Sequence, residues 1–198
     1  MMIYPREVIR AIVEFKPDLN VFTISAAFGV SRALNRAVRL NVGDYLSPNE
    51  ILGLLIPGGA LSGIMYVYVL GYLIYLSRRF LGGISTFQGN RAAIAWSFVP
   101  VALTVILWLP LIIFFGEDLF SSVTISNGSS NLFQITYSLF VVLEIIAGFW
   151  SMALLVVTLS EVNQYSKRKA FVGLVIAIIG YVILSLLIGI VLNPDLIL

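Results

Sequence analysis

Long apolar runs alternate with short polar breaks along this chain, and the breaks carry most of the charge. The runs fall at residues 19–40, 51–76, 92–115, 132–160 and 170–192. A helix that crosses a bilayer needs ~20 apolar residues, so each run predicts one crossing. Residues 1–18 follow a different pattern. Val8, Ile9, Ile12 and Val13 share one helical face, while Arg6, Glu7, Arg10 and Glu14 lie elsewhere. That spacing predicts an amphipathic helix in the headgroup region, and the other reading of so short a period is a solvated helical stub. Pro5 suits a first helical turn, where its missing N–H costs nothing. The pattern therefore predicts an all-α integral membrane protein. Its five transmembrane helices form a single membrane domain over 19–192, preceded by a short amphipathic interfacial helix and followed by a short tail, 193–198.

The runs are irregular in ways that suggest packing. The first is apolar only to residue 30 and then carries Arg32, Asn35, Arg36 and Arg39. Twelve apolar residues span only ~18 Å, so a crossing here must include some of the arginines. A cleaved signal peptide, with Ser25-Ala26-Ala27 as its small residues, is the alternative reading. In the second run Pro57-Gly58-Gly59 predicts a kinked or loosened end, and Gly59, Gly63 and Gly71 would let a neighbouring helix approach closely. Arg78-Arg79 and Gly82-Gly83 open a charged turn that leads through Arg91 into the third run, where Pro100 and Pro110 remove two backbone donors. The last run offers Gly173, Ala177, Gly180, Ser185 and Gly189 as small-residue contacts.

Composition supports lipid as the main solvent: 60% of residues are hydrophobic and 11% are charged, against roughly 25% charged in soluble domains. With no Cys and no His, disulfides, thiolate metal sites and the commonest general base are absent. Asp18, Asp44, Asp118 and Asp195 lie outside the runs, and the GxG-like stretches lack a phosphate-loop lysine. No catalytic, metal or cofactor site is expected. The net charge of +2 reflects basic residues beside apolar runs and not a nucleic-acid partner. Nine of the twelve basic residues (Arg6, Arg10, Lys16, Arg78, Arg79, Arg91, Lys167, Arg168 and Lys169) fall on one side if there are five spans. The positive-inside rule then puts the N-terminus in the cytoplasm and the C-terminus outside. Asn127-Gly128-Ser129 matches a glycosylation sequon, with a tight turn as the more economical reading.

One candidate site stands out. Glu144 is the only carboxylate within an apolar run, and ionisable groups there are costly unless they face a partner or water. Arg32, Arg36 and Arg39 follow at i, i+4 and i+7 on one helix face. The proposed topology puts them at Glu144's depth, so an intramembrane charge network of these four residues is expected. It would serve either as a polar cavity for a proton, ion or lipid headgroup, or as a structural pair fixing helix register while the outer arginines snorkel.

The order of several motifs resembles the Ypt-interacting-protein (Yip) domain family. Tyr4-Pro5-Arg6-Glu7 opens the chain, and Leu81-Gly82-Gly83 is followed by Phe87, Arg91 and Pro100. Trp150, Glu161 and Lys169-Ala170 complete the series. The resemblance implies five spans, a cytoplasmic N-terminus and a role in membrane organisation or trafficking. Eukaryotic members associate with Rab-type GTPases and carry a long hydrophilic N-terminal region. Here only about one helix stands in its place, so Rab binding is not carried over and a prokaryotic member is indicated, in the cell membrane. The expected function is a non-catalytic membrane scaffold or adaptor whose partners are lipid and other membrane proteins or a second copy of itself. The alternative is a transporter or channel component, or an accessory subunit of one. That reading rests on breaks at Pro57-Gly58-Gly59 and Pro100 beside Glu144.

Overall fold

The computed structural model describes residues 4–122 and 131–192. The sequon at Asn127-Gly128-Ser129 and the tail 193–198 lie outside the described residues. Among the described residues the secondary structure is entirely helical. The α-helices are α1 (Pro5–Phe15), α2 (Val21–Arg39), α3 (Pro48–Leu81), α4 (Phe87–Ser97), α5 (Val99–Leu103), α6 (Val105–Phe115), α7 (Asn131–Asn163) and α8 (Lys167–Leu192). Short 3₁₀ turns lie at Val42–Asp44 and Gly116–Phe120.

Local chemistry accounts for the helix ends. Asn20 and Asn41 flank α2 with φ of 52° and 49°, a left-handed conformation that asparagine tolerates better than most residues. Ser47 and Glu50 form a capping box at the start of α3: the Ser47 N–H and hydroxyl both donate to the Glu50 carboxylate, at 2.9 and 2.7 Å. At the other end Gly82 has φ +75°, and the Gly83 N–H donates to the Arg78 carbonyl at 3.0 Å, which is a Schellman ending. α7 ends the same way with a non-glycine residue. Gln164 sits at φ 54°, the Tyr165 N–H reaches the Ser160 carbonyl and the Gln164 N–H reaches that of Glu161, each at 3.2 Å.

Among the described residues three helices are long and apolar enough to cross a membrane: Pro48–Leu81, Asn131–Asn163 and Lys167–Val191. A fourth is present if Phe87–Ser97 and Val99–Phe115 make one broken span. Two expectations change. α2 is not among these helices, because Arg32, Asn35 and Arg36 dilute its apolar length. Of the two expected breaks only that near Pro100 is present: α3 runs without interruption through Pro57-Gly58-Gly59, whereas α4 and α5 part just before Pro100. Around Pro100 the ladder shortens, with the Phe98 N–H on the Ala95 carbonyl at 3.1 Å, since proline supplies no N–H and crowds the carbonyl four residues earlier.

The chain packs as two compact units. The first comprises residues 1–19, 66–94 and 154–198. Its buried positions include Ile9 and Ile12 of α1, Leu70 and Ile74 of α3, Ala92–Ile94 of α4, and Leu155 and Leu159 of α7. The second comprises residues 20–65 and 95–153. Its core gathers Leu34, Val38, Ile51, Trp108, Leu119 and Phe140, with Trp108 edge-on to Phe140 at 4.8 Å. In this unit α2 and α3 meet backbone to backbone. A Cβ built on Gly29 would lie 2.6 Å from Gly63 Cα, and one on Gly63 would lie 2.6 Å from Gly29 Cα. Gly59, one turn before Gly63, fills the adjoining contact with Ala33.

Candidate functional site

In the first unit, polar residues join α1, the α3–α4 turn and the α7–α8 turn at one end. Asn163, fully buried at the end of α7, is the hub. Its side-chain carbonyl accepts from the Ser85 hydroxyl at 2.6 Å, and its amide donates to Asn90 Oδ1 at 2.7 Å and to the Leu159 carbonyl at 3.1 Å. Gly83 has no room for a side chain, because a Cβ there would lie 2.8 Å from Asn163 Oδ1 and 3.0 Å from Tyr165 Cε1. Arg78 donates to the Ser85 carbonyl. Lys169 donates to the Leu81 carbonyl at 3.0 Å, satisfying an acceptor that the end of α3 leaves free.

α1 is fastened to this end by Glu161. Arg10 donates to the Glu161 carboxylate through Nε at 3.0 Å and again through Nη2. Arg6 approaches the same carboxylate at 4.0 Å. The Glu161 hydrogen bond, and secondarily its charge, hold the Arg10 guanidinium above its ordinary pKa. Arg10 is solvent-exposed, so the pair itself contributes little. The larger share comes from Ile9 and Ile12, both buried, at roughly 1.5–3 kcal/mol for each side chain. Between α1 and the α7–α8 turn a cavity of about 610 Å³ opens onto Arg6, Arg10, Glu14, Glu161 and Lys167. Tyr165 borders it. Burial pushes its phenol up to about 12, and its hydroxyl has no hydrogen-bond partner among the described residues.

Arg91 is the third anchor. It is buried in α4, ion-paired with Asp18, and lies over the Tyr68 ring at 4.6 Å and the Phe87 ring at 5.5 Å. Phe87 in turn meets Tyr68, Tyr72 and Tyr75 edge-on. Gly71 allows the approach, since a Cβ there would lie 3.3 Å from Arg91 Cα.

The second unit holds Glu144. Its carboxylate accepts from Ser31 at 3.3 Å, from Thr104 at 3.2 Å and from the Asn35 amide. Ser31 and Thr104 also share a 2.8 Å hydrogen bond. No arginine pairs with Glu144 among the described residues; its direct partners are two hydroxyls and an amide. The reason is register. Ser31 and Asn35 are four apart on α2, one position behind Arg32 and Arg36, so the two pairs sit about 100° apart around the helix. Arg32 and Arg39 nevertheless line the same cavity as Glu144, whereas Arg36 does not.

The resemblance positions are distributed unevenly. Tyr4, Pro5, Arg6, Glu7, Leu81, Gly82, Gly83, Phe87, Arg91, Glu161, Lys169 and Ala170 all belong to the first unit, and only Pro100 and Trp150 to the second. Glu7 is exposed in the first turn of α1, Ala170 is fully buried, Pro100 opens α5, and Trp150 lies on an exposed face of α7. Asn163, Asn90, Ser85 and Asp18 were not legible as members of this cluster. Each is an ordinary polar residue near a helix end, and the signal that could have found it is a buried partner far away in sequence.

These features define a helical, multi-pass membrane protein with a polar clasp at one end of its first unit. The Yip1 domain model matches residues 1–189, and the chain belongs to that family. No curated protein and no solved structure matched the chain.

Proposed function

We propose that this protein is a non-catalytic membrane scaffold or adaptor that organises other membrane proteins, or further copies of itself, within a prokaryotic cell membrane. The observation that carries the reading is the clasp. Twelve of the fourteen resemblance positions lie in the unit that holds α1 against the α7–α8 turn, and they build a docking platform and no reaction centre. α1 keeps an outward surface for a partner, with Tyr4 and Phe15 exposed at 65% and 78%. The continuity of α3 through Pro57 removes one of the paired breaks on which a transporter reading rests.

The same reading counts α2 as a fifth span, its arginines snorkelling toward the interface, with the N-terminus inside and the C-terminus outside. Support comes from the clasp, which gathers α1 and both turns at one end, so their basic residues can share the cytoplasmic side. Cysteines placed at exposed Ile84 and Asn131 of this Cys-free chain should label from opposite sides with an impermeant reagent; labelling from one side would end the five-span arrangement.

The functional test pairs two measurements. A photo-crosslinker at Phe15 in living cells should give discrete membrane-protein adducts that fade when Ile9→Ala with Ile12→Ala removes the buried face that holds α1. Reconstituted in liposomes, the protein should move neither protons nor common ions. A flux that depends on the protein and disappears with Glu144→Gln would overturn the scaffold reading in favour of transport.

A further inference from the structure

The side chains of the α2 arginines make no ion pair or hydrogen bond among the described residues. Glu144, the obvious counter-charge, is already engaged by Ser31, Thr104 and Asn35. Arg32 and Arg39 nonetheless face one cavity of about 600 Å³, with Asn35 and Tyr137 beside them. Its other wall is a stripe of α7: Val141, Ile145 and Phe149, each four residues after the last. Ile145 and Phe149 are exposed at 53% and 76%, so the described residues leave that part of the stripe largely uncovered.

A guanidinium inside the hydrocarbon region is costly without an anion or water beside it. Two of them on one groove outnumber the single carboxylate there. Seven residues of helix separate Arg32 from Arg39 by about 10 Å, so an anion between them is within reach of both long side chains. Guanidinium groups grip phosphate through paired hydrogen bonds. Fixed cations beside an uncovered hydrocarbon stripe match an amphiphile with an anionic head.

We propose that this groove binds one anionic phospholipid, its phosphate held between Arg32 and Arg39 and an acyl chain lying along Val141, Ile145 and Phe149. The site lies in the second unit and shares no residue with the clasp; it rests on the reading that places α2 in the bilayer and does not require the scaffold function.

The test uses the full chain in mild detergent, with phosphatidylglycerol and phosphatidylcholine of equal chain length titrated in competition and retained lipid counted by native mass spectrometry. Each juxtamembrane arginine is worth about 5-fold in affinity for an anionic lipid, so wild type should prefer phosphatidylglycerol by about 25-fold. Arg32→Gln or Arg39→Gln should each remove about 5-fold, and the double variant nearly all of the preference. Arg36→Gln makes the same charge change on the same helix but off the groove, and should leave the preference intact. Glycerol phosphate, the head without chains, should not compete. The proposal fails if wild type shows no preference or if Arg36→Gln loses as much as Arg39→Gln, which would indicate bulk charge. It also fails if glycerol phosphate competes as well as the lipid, which would indicate a free-anion site. Arg39→Gln, at the last residue of α2, keeps the test decisive if the double variant does not fold.

Discussion

Gly63→Ala and Gly58→Ala make the same chemical change five residues apart on α3, and the structure predicts opposite outcomes. A Cβ on Gly63 would lie 2.6 Å from Gly29 Cα, whereas ordinary carbon contacts begin near ~3.5 Å. The obstacle is backbone, which cannot rotate away, so α2 and α3 must separate by roughly 1 Å. A gap of that size forfeits up to about half of the ~0.1–0.2 kcal/mol in each atom pair, and a crossing with some 30 such pairs loses about 2–3 kcal/mol. Alanine regains about 1 kcal/mol of helix propensity, leaving a net loss of ~1–2 kcal/mol. Gly58 meets nothing within 4 Å, so only the propensity gain remains there. At about 2–4 °C per kcal/mol for a chain of this size, thermal unfolding in detergent followed by tryptophan fluorescence should show Gly63→Ala lower by ~2–8 °C and Gly58→Ala unchanged or slightly higher. Equal shifts for the two variants would show that the helices do not touch at Gly63.

Asn163→Ala should destabilise by about 3 kcal/mol, because it leaves the buried Ser85 hydroxyl and Asn90 carbonyl without their partner; Gln164→Gly, relieving φ 54°, should stabilise by up to ~1 kcal/mol, and both are read in the same melts. A double-mutant cycle between Glu144→Gln and Asn35→Ala should give a coupling near ~1 kcal/mol, while Glu144→Gln with Arg36→Ala should be additive within ~0.5 kcal/mol. The Tyr165 phenol, raised to about 12 by burial from an ordinary value near 10, favours its neutral form in the fold. The stability linked to it is therefore fully present below pH ~10 and falls by roughly 2–3 kcal/mol as pH rises to ~12. Tyrosinate absorbance and alkaline unfolding of Tyr165→Phe should both lack that late step.

The parts legible in the sequence are those governed by local pattern. The period of Ile9 and Ile12 marked the buried face of α1, and the alternation of apolar runs and polar breaks marked α3, α7 and α8. The small-residue signal at Gly59 and Gly63 was also readable, because helices can approach closely only where side chains are absent. The partner was not: Gly29 lies in another run, and nothing local distinguishes it from Gly53 or Gly58, which meet nothing. Proline was misleading for a related reason. Pro57 and Pro100 remove the same donor, yet α3 continues through the first and the chain breaks at the second, since the surroundings decide whether the freed carbonyl needs a new partner.

The two polar clusters differ in the same way. Charge led to Glu144 and the arginines, because an ionised group in an apolar run is conspicuous, but charge alone misassigned the direct contact. In the fold Glu144 takes neutral donors from Ser31, Thr104 and Asn35, which satisfy a carboxylate without burying a second charge and its desolvation cost. That choice has a consequence for the arginines. With the carboxylate satisfied by neutral groups, Arg32 and Arg39 stand without a direct counter-charge among the described residues, on a groove bounded by exposed hydrocarbon. A helix too polar to cross on hydropathy alone can still hold its place in a bilayer if lipid phosphates neutralise those guanidiniums. The feature that excludes α2 from the apolar spans is then the one that recruits the lipid. Depleting anionic lipid should accordingly destabilise wild type more than Arg32→Gln/Arg39→Gln, and equal sensitivity of the two would separate the retention of α2 in the membrane from lipid binding.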